Sequence, residues 1–545
     1  MDAWKVVRAL MVTYVLVFIV YPLVNILLVT FSNGLQDFVN FFSNGDNIKF
    51  IFNSLFVSAC VSLLTLILGA PIAYFFNRYR VPFKDTLLSL LNLPIMLPPF
   101  VGALAYIYLL GNFGTINLLL LQAKLIRRPI NFIYGLHGLI LIQTLSYFPI
   151  VVLNTYSGLS KIDRSLEEAS ESLGAMPLRR FIDVTLPLVA PSILTGALLV
   201  FVMSLADYAT PLVLGVYQLL APQAFLNVIQ AIDEARVRLG IVTVTIIMLM
   251  SISSLLLFKK YISLREYATL RVPRPVEEHV LKGLKKVLVY AVIFVPLALS
   301  LVPHAMLILM SVSKNWSFTP FPTQYSLENY IRAFTDAEYL SSILHSVEYS
   351  LIALGIDFVV GVFTAYLLVR TSNPLNDLID SFMTLMLATP GLVVGTSWLL
   401  AFHNPVPFLN FKLTDLWLIL PLMLATRRLP YLLRSSYATL LQIRQSTEEA
   451  SLSLGAPPMR TFAKITVPLI LEGVVTGLVF TFITAMNELT ASLFLYKPGW
   501  ETITIMLFTN ITMGEIPMAS TLGAILVFLI LIATVVSVKY GRSAR

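Results

Sequence analysis

Glu167-Glu168-Ala169-Ser170-Glu171-Ser172-Leu173-Gly174-Ala175-Met176-Pro177 returns 281 residues later as Glu448-Glu449-Ala450-Ser451-Leu452-Ser453-Leu454-Gly455-Ala456-Pro457-Pro458. The match runs on through Thr185-Leu186-Pro187-Leu188 and Thr466-Val467-Pro468-Leu469. A second set stands 292 apart: Gly69, Ala73, Tyr74 and Arg78 against Gly361, Ala365, Tyr366 and Arg370. Such self-similarity makes the chain two copies of one large unit. The repeated stretch also has local content. Leu166, Ala169, Ser170 and Leu173 fall at i, i+3, i+4 and i+7, one narrow face of a short helix. Gly174 and Gly455 stand where a helix end favours positive φ. Pro177 and Pro458 suit the first turn of a following helix. The spacing predicts a helix, a sharp turn and a second helix, twice.

The surroundings of these stretches are apolar. Of 545 residues, 57% are hydrophobic and 12% charged, and the mean hydropathy is +0.84. A soluble chain of this length needs more polar surface than that. Apolar runs of about 20 residues recur, the length that crosses a bilayer as a helix. They predict twelve spans, at 6–31, 50–77, 86–111, 133–157, 187–207, 238–258, 287–312, 341–369, 377–402, 415–437, 468–489 and 518–538. All are expected to be helical, because backbone in lipid must satisfy its own hydrogen bonds. The alternation of a barrel strand is absent from stretches such as Val57 to Ala73. The first run follows Lys5 and Arg8, is too long for a signal peptide and has no small-residue cleavage site after it. It reads as a retained span.

Basic residues give the orientation. Of the 37 Lys and Arg, ten lie in outer segments or at outer helix ends, including Lys49, Arg127, Arg236 and Lys497. The excess on the other side makes both termini cytoplasmic. The longest basic stretch, Lys259 to Lys286 around Val272-Pro273-Arg274-Pro275, reads as a cytoplasmic linker. The expected domains are therefore a first half, 1–258, with its elbow at 158–187; the linker, 259–286; and a second half, 287–545, with its elbow at 438–468. Both elbows fall on the cytoplasmic side. Halves of equal topology joined in this way lie about a pseudo-twofold axis along the membrane normal.

Several function classes drop out. The net charge of +8 is spread between apolar runs, so nucleic acid is not an expected partner. Cys60 is the one cysteine and can form no internal disulfide. The five histidines are scattered, His304 and His345 reading as helix-end residues, so neither a catalytic centre nor a metal site is expected. Acids within the predicted spans include Asp207, Glu348, Asp357, Glu472 and Glu488. Each costs about 2.5–3.5 kcal/mol in mid-bilayer and needs a partner or a wet cavity. Asp207 and Glu488 are 281 apart, hence equivalent. They are candidate pathway residues, and a carboxylate pair suits a hard cation; pairing at helix ends is the structural alternative. Asp357 is expected to pair with Arg427 or Arg428. Pro94, Pro98 and Pro99, and Pro390-Gly391, are expected to break spans in corresponding places.

The two elbows resemble the EAA motif of binding-protein-dependent ABC importer permeases: Glu-Ala-Ala, three residues, Gly, nine residues, Ile, one residue, Leu-Pro. Glu168-Ala169-Ser170, Gly174, Val184 and Leu186-Pro187 hold that spacing, as do Glu449-Ala450-Ser451, Gly455, Ile465 and Val467-Pro468. The departures are Ser for the second Ala in both copies and Val for Ile or Leu once each. The resemblance implies an all-α type I importer fold of two six-span repeats in the cell membrane. It implies ATPase coupling through Glu168, Ala169, Gly174, Pro187, Glu449, Ala450, Gly455 and Pro468. It also implies two copies of a cytoplasmic ABC ATPase and an extracytoplasmic substrate-binding protein as partners. The chain has no Gly-x-x-x-x-Gly-Lys-Ser/Thr loop, so ATP is expected to be spent by the partner ATPase and no cofactor bound here. Asn487-Glu488-Leu489-Thr490-Ala491-Ser492-Leu493-Phe494-Leu495-Tyr496 is similar to the ferric-iron permeases. Ala206-Asp207-Tyr208-Ala209-Thr210-Pro211 is similar to those of ferric iron and aminoethylphosphonate. Ferric iron is the cargo these resemblances imply; thiamine, 2-aminoethylphosphonate and polyamine are the alternative cargoes, and an ion-gradient-driven transporter the alternative class.

Overall fold

The structure is a computed structural model, and it describes residues 3–263, 278–316, 318–405 and 411–543. Residues 264–277, half of the expected linker, lie outside the described residues. Nine helices among the described residues are long and apolar enough to cross a membrane. Two further pairs pass together although bent: Pro374–Ala388 with Gly391–Phe402, by 116°, and Pro458–Leu469 with Leu471–Met486, by 73°. The remaining predicted span is Ile419–Leu440, a helix whose hydropathy is lowered by Arg427, Arg428 and Arg434. The expected all-α membrane architecture is therefore present. Among the described residues the strands are two short antiparallel ones, Ser313–Asn315 with Gln324–Tyr325, in register Ser313 to Tyr325.

Backbone chemistry sets the span ends. Asn44 opens the second span, Gly45–Arg78, its side chain accepting from the Asp46 N–H at 3.0 Å. That satisfies one of the donors a helix start leaves orphaned. The third span is broken in both halves, as its prolines predict. In the first half, Lys84–Leu90, Leu93–Met96 and Pro99–Leu110 are separate helices. In the second the break falls at Thr389-Pro390. The shift in repeat offset from 292 to 281 also has a structural reason. The first half carries an extra helix, Thr115–Gln122, between its third and fourth spans. The second half passes through the shorter connection from His403 to Leu418.

The chain forms two compact units that cut across the sequence repeat. One holds residues 1–41, 226–245 and 326–545; the other holds 42–225 and 246–325. Apart from residues 226–263, which are divided between the two, each unit takes the first span of one half and the inner spans of the other. In the first unit the Ala3–Thr30 span lies along second-half helices. Trp4 stacks on Tyr366 at 4.3 Å between ring centroids, the Tyr14 and Thr426 hydroxyls are 2.9 Å apart, and Tyr21 Oη donates to the Ala401 carbonyl at 3.1 Å. In the second unit the Gly283–Ser311 span meets first-half helices, with Tyr106 Oη donating to the Leu299 carbonyl at 2.9 Å.

Close helix packing recurs at equivalent glycines. A Cβ on Gly69 would lie 2.9 Å from Val151 Cβ, and one on Gly196 would lie 3.1 Å from Val151 Cα. The counterparts Gly361 and Gly477 close in the same way on Leu432, at 3.1 and 2.8 Å. In each unit the fourth span is gripped between glycines of the second and fifth. Backbones approach that closely only where side chains are absent, the usual means of packing helices in lipid.

Candidate functional site

The elbows fold alike. Arg164–Ser172 and Ser446–Ser453 are the two short helices. Gly174 has φ +83° and Gly455 φ +84°. The Gly174 N–H donates to the Glu171 carbonyl at 2.9 Å and the Ala175 N–H to that of Ser170 at 3.1 Å. The second copy repeats both bonds, Gly455 to Leu452 at 2.9 Å and Ala456 to Ser451 at 3.2 Å. This pairing closes a helix C-terminus when the residue after the cap is left-handed, and glycine adopts that conformation without a Cβ penalty. Pro177 and Pro458 then open Pro177–Arg180 and Pro458–Thr461. Each continues through one wide turn, Phe181–Thr185 or Phe462–Thr466, into the fifth span.

The helix face read from the sequence as apolar points outward. Leu166, Ala169 and Leu173 are exposed, as are Ala450 and Leu454. Leu173 and Leu454, at the tips, are 88% and 89% exposed. Glu168 and Glu449 are exposed as well, beside them. Pro187 and Pro468 sit in the first turns that follow the wide turns.

The residues that fasten the elbows are the preceding glutamates, which sequence reasoning did not single out. Glu167 is buried, forms an ion pair with Arg78 and accepts from Thr185 Oγ1 at 2.6 Å. Glu448 is buried, pairs with Arg370 at 3.2 Å and accepts from Tyr366 Oη at 3.4 Å. Arg370 Nη2 also donates to the Ile443 carbonyl at 2.9 Å. Arg78 and Arg370 are the last residues of the second span in each half. Each elbow is thereby tied to the end of a 34-residue helix. The signal was present in the sequence, because both arginines stand among the repeated pairs.

Asp207 and Glu488 also occupy equivalent local geometry, each described within its own unit. Asp207 Oδ1 accepts from the Thr210 N–H at 3.0 Å and Glu488 Oε1 from the Ala491 N–H at 2.8 Å, capping the short helices that follow. Their other partners differ. Asp207 Oδ2 accepts from Gln143 Nε2 at 3.0 Å. Glu488 Oε2 takes both Arg427 and Arg428, and Thr490 Oγ1 donates to Oε1 at 2.8 Å. This corrects the expected pairing of Asp357: the two arginines pair with Glu488. Asp357 is fully buried, with neither carboxylate oxygen in a hydrogen bond. The third-span break packs on the same cluster, since a Cβ on Gly391 would fall 2.6 Å from Arg427 Nη1. Among the described residues no group of His, Cys, Asp and Glu could hold a metal ion.

The sequence profile of the family described as "Binding-protein-dependent transport system inner membrane component" matches residues 62–265 and again residues 357–541. The Ferric transport system permease protein FbpB of Actinobacillus pleuropneumoniae is 29% identical over 94% of this chain and 74% of its own length. A putative ferric transport system permease protein of Haemophilus influenzae is 28% identical over 88% and 76%. The Spermidine/putrescine transport system permease protein PotB of the same organism is 26% identical over 39% of this chain and 77% of its own. Two elbows of one geometry, two matched profile segments and an all-helical membrane architecture agree: the chain belongs to the inner-membrane permeases of binding-protein-dependent ABC transport systems, with two copies of the permease domain in one polypeptide.

Proposed function

We propose that this chain forms the translocation pathway of an ATP-driven importer, working by alternating access, with ferric iron as its cargo. The observation that carries the coupling part is the pair of elbows, each presenting an exposed leucine and anchored by a buried arginine–glutamate pair. A cytoplasmic ATPase dimer has two equivalent surfaces, and two equivalent knobs fit it. When ATP closes the dimer, force on Leu173 and Leu454 passes through Glu167–Arg78 and Glu448–Arg370 into the second spans. Glu168, Ala169, Gly174 and Pro187, with Glu449, Ala450, Gly455 and Pro468, shape those docking surfaces. ATP is bound and hydrolysed by the partner, and this chain is the transporter subunit. An extracytoplasmic binding protein delivers the solute, and both termini lie in the cytoplasm of the host cell.

Iron as cargo rests on the two ferric relatives that match most of the chain. A carboxylate pair at Asp207 and Glu488 adds little to it, because Glu488 is matched by two guanidinium groups. The polyamine permease among the relatives makes spermidine the competing cargo. The test is reconstitution of the chain with its ATPase and binding protein in liposomes. ATP-dependent uptake of radioactive ferric iron, with no spermidine uptake, is the expected outcome; the reverse selectivity refutes the cargo, and uptake without the ATPase refutes the coupling.

A further inference from the structure

A second repeated stretch is not absorbed by the transport reading. Leu35-Gln36-Asp37-Phe38-Val39-Asn40-Phe41-Phe42 returns 292 residues later as Leu327-Glu328-Asn329-Tyr330-Ile331-Arg332-Ala333-Phe334. Both copies are short helices, Gln36–Ser43 and Glu328–Thr335. Both bury one small patch, at Phe41 and Ala333, and expose an apolar stripe at i, i+4 and i+7. In the second copy the stripe is Leu327, Ile331 and Phe334, at 63%, 62% and 54% exposure. The charges of this helix lie off the stripe. Arg332 is turned to Asp336 at 3.5 Å and lies over the Tyr339 ring at 5.9 Å from its centroid.

The position of the Glu328–Thr335 helix identifies what covers the stripe. Asp336 alone separates it from the eighth span, Ala337–Arg370. That span has 34 residues, about 51 Å at the helical rise. A bilayer with its headgroups measures about 40–45 Å. The eighth span therefore reaches the polar boundary at its Ala337 end, opposite the Arg370 end that holds the elbow. The short helix packs there against the eighth and twelfth spans, which expose Leu344, Leu351 and Phe528 along their own lengths. A short helix with a charge-free apolar face at this level lies in the interface plane with that face in the headgroup–acyl boundary.

We propose that Glu328–Thr335 is an interfacial helix whose Leu327–Ile331–Phe334 face is seated in the phospholipid leaflet remote from the elbows, and that Gln36–Ser43 is its repeat-related copy. The competing occupant is a soluble protein docked on the same face. The test uses the full chain with Cys60→Ser, carrying a nitroxide at Ile331→Cys, Phe334→Cys or Glu328→Cys, in nanodiscs of phosphatidylcholine and phosphatidylglycerol without other proteins. Labels at 331 and 334 are expected to be accessible to oxygen and shielded from a water-soluble nickel chelate, and the label at 328 the reverse. Nickel accessibility at 331 and 334 equal to that at 328 overturns the proposal. So does shielding that arises only on adding the external binding protein, which assigns the face to protein docking.

Discussion

The buried charges of this permease are of two kinds, and they predict opposite responses to neutralisation. Glu167 and Glu448 each hold an arginine at a span end, with further hydrogen bonds to Thr185 and Tyr366. Removing one partner of a buried pair leaves the other charge uncompensated, at a cost of about 3–5 kcal/mol. Arg78→Ala and Arg370→Ala are therefore expected to lower the thermal unfolding temperature of the detergent-purified chain. Arg78→Ala with Glu167→Ala is expected to recover part of the loss, and a double variant no more stable than the single would contradict the pairing. Asp357 is different, because its two oxygens have no donor. An unsatisfied buried carboxylate is costly, so Asp357→Asn is expected to leave stability unchanged or raise it. Glu488→Gln, which strands two guanidinium groups, is expected to destabilise. The same melting assay compares the two, and a reversed order would refute the assignment of Arg427 and Arg428 to Glu488.

At the scale of the element, the elbow was largely legible in the sequence because its determinants are local. A glycine after the cap, a proline three residues on and a 3.6-residue apolar period each constrain the backbone without reference to distant residues. Its anchor was not legible in the same way, because the partner of Glu167 lies 89 residues away and only the fold brings Arg78 to it. For the same reason the partner of Arg427 and Arg428 was not legible: the sequence places residues at a depth but not on a helix face. The elbow's own prediction concerns Gly174 and Gly455. Neither has an atom within 4 Å of a built Cβ, so alanine meets no steric obstacle and only the left-handed backbone opposes it, by about 1–2 kcal/mol. Gly174→Ala is expected to insert normally and to lower transport modestly. Leu173→Asp or Leu454→Asp, at positions exposed in the free chain, is expected to leave melting unchanged and to reduce the amount of ATPase that co-purifies. Full ATPase retention by the double variant would remove the leucine tips from the docking surface.

At the scale of the whole molecule, the division into units explains why two permease domains gain from being one chain. The sequence repeat runs half by half, yet each compact unit borrows its first span from the other half. The second-half helices meet Ala3–Thr30 through Trp4 on Tyr366, Arg8 Nη2 donating to Thr371 Oγ1 at 3.0 Å, and Phe18 stacked on Trp398 at 5.8 Å between centroids. These contacts link residues more than 350 positions apart, so they form only after most of the chain has been made. Topology of this kind slows folding, and covalent fusion raises the effective concentration of the exchanged span. A segment starting at residue 278 keeps its own six spans but lacks Ala3–Thr30, so it exposes Trp398 and Tyr366 and is expected to be degraded or to aggregate when expressed alone. Adding residues 1–263 as a separate polypeptide is expected to restore a stable complex, because it supplies the missing span and receives Gly283–Ser311 in return. The measurement is the yield and melting temperature of the 278–545 segment with and without its complement. A segment equally stable in both conditions would show that the exchanged span is dispensable to the unit it joins.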